Sequence, residues 1–214
     1  AGTGVGKSLG YLVPSVLFAL ERHKKAIIST HTINLQEQLL HKDIPILKKV
    51  LAVEFDAALM KGRQNYLCPR RLERALQNEQ ELFTGPERSE LQRLAEWARA
   101  TRDGSLSDLS VEPDSKVWAQ VCSEAHICTQ KTCGQDPRCF YQQARKRLLM
   151  ADVIVLNHTL LFILMGSPEM QEERESGFLF PNDFIIFDEA HTLEQVASKQ
   201  IGIGISQYGL RSTI

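Results

Sequence analysis

No apolar run in these 214 residues approaches the roughly 20 needed to cross a bilayer, so the sequence offers no membrane-spanning helix. Charge of one sign is lacking too: 25 Lys and Arg stand against 26 Asp and Glu, a formal net charge of −1. Bulk electrostatics therefore argues neither for nor against a polyanionic partner, and any nucleic-acid contact has to rest on local patches. Internal repeats and low-complexity tracts are absent, which excludes a solenoid. No charged-then-apolar leader precedes the first motif; because residue 1 already lies inside that motif, the chain is expected to have lost its true start. Cysteines are few and odd in number, five, with four of them after position 120. A disulfide framework is the poorer account of such a set, and a metal or cluster site the better one. What remains, 43% hydrophobic and 24% charged, is a globular composition long enough for one core or for one domain with an insertion.

The richest stretch is the first, Ala1-Gly2-Thr3-Gly4-Val5-Gly6-Lys7-Ser8. Its alternating glycines permit backbone conformations that turn several N–H groups towards one anion. Lys7 can then reach the β- and γ-phosphates of a nucleotide, Ser8 can offer a hydroxyl to Mg²⁺, and the helix that follows adds its positive N-terminal end. Ala1 stands where the general pattern of such loops has glycine.

Downstream, Leu9, Leu12, Val13, Val16, Leu17 and Leu20 fall at helical spacing, which predicts a helix over 7–21, kinked by Pro14. Ala26 to Thr30 reads as a buried parallel strand, and Thr32 as the cap of a helix through Leu35, Leu39 and Leu40. Residues 55–60, 153–156 and 184–187 make three more strands. The alternation predicts an α/β fold with a parallel sheet. From Cys68 to Cys139 that alternation stops, replaced by polar helices around 72–82 and 91–98 with few large apolar residues, a segment for which an inorganic staple is attractive. A basic helix is predicted over 138–150.

The strand 184–187 ends in Asp188-Glu189-Ala190-His191. At that end of a parallel strand Asp188 can reach the shell of a Mg²⁺ held by Ser8, and Glu189 can orient or deprotonate the water that attacks the γ-phosphate. His191 reads as a coupler rather than as an acid or base. Cys128, Cys133 and Cys139 lack the tight paired spacing of most zinc knuckles; four thiolates can hold either a zinc ion or a [4Fe–4S] cluster. Arg138-Cys139-Phe140-Tyr141 followed by Arg145-Lys146-Arg147 combines charge for phosphates with rings for bases, and Lys61 and Arg63 form a second basic candidate. The same pattern also describes a solvated helix face beside two core aromatics.

Taken together, these blocks resemble the superfamily 2 DEAH-box helicases, and within them the iron–sulfur DNA helicases of the DinG and XPD type, the bacterial DinG branch more closely. The likeness runs through Ala1 to Ser8, Ser29-Thr30-His31-Thr32, Lys61 to Cys68, the later cysteines, Asn157-His158-Thr159-Leu160-Leu161 and Asp188 to His191. In that family the loop commonly starts with Ala, so Ala1 fits. The resemblance implies a RecA-like motor domain over 1–67 and 140–214, with a cluster domain over 68–139. It implies ATP and Mg²⁺ at residues 1–8, Asp188 and His191, catalysis by Lys7, Asp188 and Glu189, and a [4Fe–4S] cluster on Cys68, Cys128, Cys133 and Cys139, which leaves Cys122 as a buried small residue. Single-stranded DNA would lie near Thr30, His31, Lys61, Arg63, Phe140, Tyr141 and Arg145 to Arg147, with Asn157 and His158 between the DNA and nucleotide paths. A monomeric, cytoplasmic, nucleoid-associated bacterial helicase moving 5′ to 3′ is implied, acting on forked or displacement-loop DNA. The rival reading is a P-loop ATPase that remodels protein, or a cluster-bearing redox sensor that only binds DNA. A second RecA-like domain, which 214 residues cannot accommodate, is expected to close the site; the fragment alone should hydrolyse ATP poorly.

Overall fold

The computed structural model describes residues 6–125, 127, 128, 130–134, 136–166 and 184–201. The phosphate-loop residues Ala1 to Val5 and the segment 202–214 lie outside them. The chain divides into two compact units, one built from residues up to Leu59 and from Met150 onward, the other from Met60–Leu149.

In the first unit, β1 (Ala26–Thr30), β2 (Ala57–Leu59), β3 (Val153–Asn157) and β4 (Phe184–Phe187) form one sheet in the order β2-β3-β1-β4. Every pairing is parallel, with Ala26 opposite Val153 and Phe184, and Ala57 opposite Val153. All five residues of β1 are buried, as a central parallel strand covered on both faces requires. Helix α1 (Lys7–Arg22) places Leu12, Val16 and Ala19 in a core with Ala26, Ile28, Val153 and Val155. Each of those larger side chains contributes about 1.5–3 kcal/mol by leaving water. The helix is unbroken through Pro14, where a kink was the expectation. Thr32 caps α2 (Ile33–Gln38) as predicted, its Oγ1 accepting from the Leu35 N–H at 3.3 Å. A π-helical turn, Leu39–Asp43, then links α2 to α3 (Ile44–Leu51) and buries the Asp43 side chain.

The second unit is helical: α4 (Pro69–Gln77), α5 (Glu79–Leu82), α6 (Gly85–Ala100), α7 (Ser115–Val121), α8 (Gln130–Cys133) and α9 (Phe140–Met150). The expectation of a segment poor in apolar support is corrected here. Tyr66, Leu67, Leu91, Leu94, Val117 and Val121 are all fully buried, so the unit carries a core of its own. The sparse leucines suffice because α4, α6 and α7 turn them to one side, and α7, with its buried Trp118, has little apolar periodicity to announce it. The Trp118 Nε1–H donates to the Gln64 carbonyl at 2.9 Å. The unit's bounds lie outside the 68–139 set by the cysteines. Tyr66 and Tyr141 meet edge to face at 5.9 Å, so the residues before Cys68 and the helix after Cys139 pack with it.

Gly104 is a checkable support. At φ +63° it lies in the left-handed region, and a Cβ there would stand 2.1 Å from Phe140 Cγ. Gly104→Ala should therefore destabilise the unit by about 2–4 kcal/mol, read by denaturant unfolding of the full-length protein.

The first unit continues after β3 with α10 (His158–Gly166) and, after β4, with α11 (Leu193–Ile201). Among the described residues no helix is long and apolar enough to cross a membrane.

Candidate active site and cysteine cavity

Parallel strands carry their chemistry at the C-terminal end. Gly6, left-handed at φ 68°, caps α1 and sets Lys7 and Ser8 in its first turn. The Asp188 N–H donates to the Ser29 carbonyl at 2.8 Å, extending the β1–β4 pairing by one residue. The same step brings Thr30 Oγ1 to Asp188 Oδ2 at 3.4 Å. Glu189 follows in a left-handed backbone conformation, φ 53° and ψ 43°, which costs a side chain with a Cβ about 1–2 kcal/mol. Its carboxylate lies 4.0 Å from Lys7 Nζ and 3.4 Å from His191 Nδ1. The structure thus brings together Lys7, Thr30, Asp188, Glu189 and His191.

Two neighbours complete this group. Tyr11, one turn after Lys7, buries its hydroxyl beside the side chains of Asp188 and Ser8. Burial and the nearby charge of Asp188 raise its pKa. The sequence placed Tyr11 among helix residues without a role; its spacing of four from Lys7 was the available signal. His158, the first residue of α10, is wholly buried, and its Nδ1 lies 2.6 Å from Ser29 Oγ. Burial holds its pKa below the ordinary histidine value. Asn157 caps α10, its Oδ1 accepting from the Leu160 N–H at 2.7 Å.

In the second unit, Cys68, Cys128, Cys133 and Cys139 line one cavity together with Arg63, Arg70, Asp136 and Gln142. Cys68 and Cys128 approach to 3.8 Å between sulfurs. Burial pushes the Cys68 thiol up to about 12 and also raises Cys139. Cys128 is lowered despite its burial, by the Glu124 N–H, which donates to its sulfur at 3.4 Å, and by the Arg63 charge. Cys122 is buried away from the cavity, its Sγ facing the Ala119 carbonyl at 3.8 Å. Among the described residues no three Cys, His, Asp or Glu side chains converge on a single-ion site.

The basic and aromatic candidates separate. Lys61 is 2% exposed, and its Nζ bonds Ser105 Oγ at 2.7 Å and pairs with Asp103 at 3.6 Å. Phe140 and Tyr141, each 8% exposed, belong to the unit's interior and have no free face for a base. Tyr141 instead carries the Arg63 guanidinium at 4.1 Å, while Arg63 donates to the Cys128 carbonyl at 3.0 Å. Of the basic run, Arg145 is half-buried, whereas Lys146 and Arg147 are exposed, Arg147 within 3.5 Å of Asp103. Thr30 is buried and His31 exposed at the end of β1. The core-aromatic alternative thus describes Phe140 and Tyr141.

A parallel sheet that sets a lysine and a serine at the start of its first helix opposite an Asp-Glu pair at a strand end defines an α/β, RecA-like architecture. Residues 109–210 match the DEAD_2 family model. The chain is 39% identical over 206 residues to the ATP-dependent DNA helicase YoaA of Haemophilus influenzae, covering 94% of this chain and 30% of that protein. It is 40% identical over 215 residues to YoaA of Escherichia coli, with 96% and 31% covered. To the ATP-dependent DNA helicase DinG of Photobacterium profundum it is 39% identical over 209 residues, with 92% and 29% covered. The chain spans about 30% of the length of the curated relatives it matches.

Proposed function

We propose that this chain is the nucleotide-binding part of an ATP-dependent DNA helicase, coupling ATP hydrolysis to 5′-to-3′ movement along single-stranded DNA and the opening of forked or displacement-loop duplexes. The observation that carries the reading is the meeting of Lys7 with Glu189 at 4.0 Å while Asp188 hydrogen-bonds Thr30 beside them. Lys7 binds the β- and γ-phosphates, and the α1 N–H groups add their dipole. Ser8 and Asp188 would hold Mg²⁺, which would neutralise charge on the phosphates. Glu189 orients a water and takes its proton as the water oxygen bonds to the γ-phosphorus and the bridging oxygen leaves with ADP. The Lys7–Glu189 approach is a resting arrangement that the γ-phosphate replaces, with His191 close enough to sense the shift.

The same reading assigns a [4Fe–4S] cluster to Cys68, Cys128, Cys133 and Cys139. Support comes from one cavity lined by all four thiols and two arginines, whose charge suits an anionic thiolate cluster. Bound there, the cluster would cross-link α4, α8 and the start of α9. DNA contact is assigned to exposed His31 in the first unit and, in the second, to exposed Lys146 and Arg147 with half-buried Arg145.

The test is hydrolysis by the full-length protein with and without single-stranded DNA. Stimulation by DNA is expected; ATP turnover indifferent to DNA would favour a protein remodeller. Binding measured against salt should lose about one unit of log–log slope per phosphate contact removed in a Lys146→Ala, Arg147→Ala double variant. An unchanged slope takes both residues off the DNA path.

A further inference from the structure

His158 is wholly buried at the junction of three strand ends. Its Nδ1 lies 2.6 Å from the Ser29 side chain, and the backbone carbonyl of the same Ser29 accepts the Asp188 N–H at 2.8 Å. One residue of β1 therefore holds His158 by its hydroxyl and the start of the Asp-Glu turn by its carbonyl. The imidazole sits 6.3 Å from the His31 ring and 6.2 Å from the Phe187 ring, centroid to centroid. Its Nε2 is buried without a hydrogen-bond partner among the described residues. The backbone of Asp188 and Glu189 lies within interaction reach of the ring.

Chemistry then fixes the roles of the two nitrogens. Burial keeps the ring neutral, so one nitrogen donates and the other accepts. In the tautomer whose Nδ1 accepts from the Ser29 hydroxyl, the proton resides on Nε2, beside a turn that Glu189 enters in the left-handed region. A buried donor of this kind rarely stays unmet through a working cycle, because its lost hydration has to be replaced. The backbone of the Asp188–Glu189 turn is the acceptor at hand.

We infer that His158 is a positioning residue that links the end of β1 to the Asp188–Glu189 turn, holding Glu189 in the orientation its water requires. The inference deepens the hydrolysis reading above and rests on it. His158 touches neither phosphate nor water; it acts through Ser29 and the turn. Because His31 lies against the same ring at the exposed end of β1, a displacement there reaches the turn through one side chain.

The experiment uses the full-length protein and three variants, His158→Ala, His158→Asn and Ser29→Ala, with ATP as the probe. Three quantities are read: kcat and KM at saturating single-stranded DNA, affinity for a fluorescent ATP analogue, and thermal midpoint. His158→Ala should lower kcat by about 10–100-fold, the usual effect of misplacing a reacting group by a fraction of an ångström to one ångström, with nucleotide affinity within about three-fold. His158→Asn keeps a donor and an acceptor near Ser29 and should recover roughly ten-fold of the loss. Ser29→Ala, the gentler change, should lower kcat in the same sense. A wild-type protein that hydrolyses ATP beside a His158→Ala variant within three-fold of it overturns the inference alone. So does a parallel fall of kcat, affinity and thermal midpoint with no rescue by Asn, the signature of a packing role. A wild-type protein without ATP hydrolysis overturns both readings.

Discussion

Glu189→Gln in the full-length protein is expected to lower DNA-stimulated ATP turnover by about 10²–10⁴-fold while nucleotide affinity changes by no more than a few-fold. The substitution keeps the size of the side chain and removes the charge and the basic oxygen. Glu189 is only partly exposed, with Lys7 Nζ 4.0 Å from one carboxylate oxygen and His191 3.4 Å from the other. An amide there still aligns a water but cannot take its proton, so the chemical step suffers and binding does not. Lys7→Ala should behave differently, losing affinity and turnover together, because a phosphate-binding charge acts in both ground and transition states. Steady-state phosphate release and a fluorescent-nucleotide titration separate the two patterns. Turnover of the Glu189→Gln protein within ten-fold of wild type would remove Glu189 from the chemistry.

Replacing Cys128, Cys133 or Cys139 by Ser should strip most of the brown absorbance and the iron from anaerobically purified full-length protein, whereas Cys122→Ser should keep both. Wild-type protein should carry about four irons and four sulfides per chain. The contrast follows from placement: three of these thiols and Cys68 face one cavity, and Cys122 is turned to the Ala119 carbonyl. Loss of colour in Cys122→Ser with retention in Cys68→Ser would reverse the ligand assignment. Stoichiometric zinc with no sulfide would replace the cluster by an ion.

Much of this architecture is legible in the chain. The strands at 26–30, 153–157 and 184–187 are runs of apolar residues, so a buried parallel sheet follows from pattern alone, and Thr32 announces its helix. Lys7, Ser8, Asp188 and Glu189 are legible because each ends or begins a predicted element at the ligand-facing edge. What pattern cannot show is which polar groups are spent inside the fold. Lys61 reads as a DNA-facing cation, yet Asp103 and Ser105, 42 and 44 residues on, enclose it; their pairing depends on a tertiary contact with no local signal. Phe140 and Tyr141 are buried for the same reason, Phe140 packing on Gly104 from a distant part of the chain. The core of the second unit escaped because its apolar residues are few and spread over three separate helices, whose packing against one another is a tertiary matter.

The neck between the two units has a thermodynamic meaning. Asp56 and Asp152, 96 residues apart, grip each other where β2 and β3 begin to pair: the Asp56 N–H donates to the Asp152 carboxylate and the Asp152 N–H to the Asp56 carbonyl, both at 2.8 Å. Closing an unstructured loop of that length carries a length-dependent entropy cost of about 4 kcal/mol, more than a three-residue strand recovers by itself. The length of the intervening segment therefore sets the entropy that the pairing of β2 with β3 has to offset.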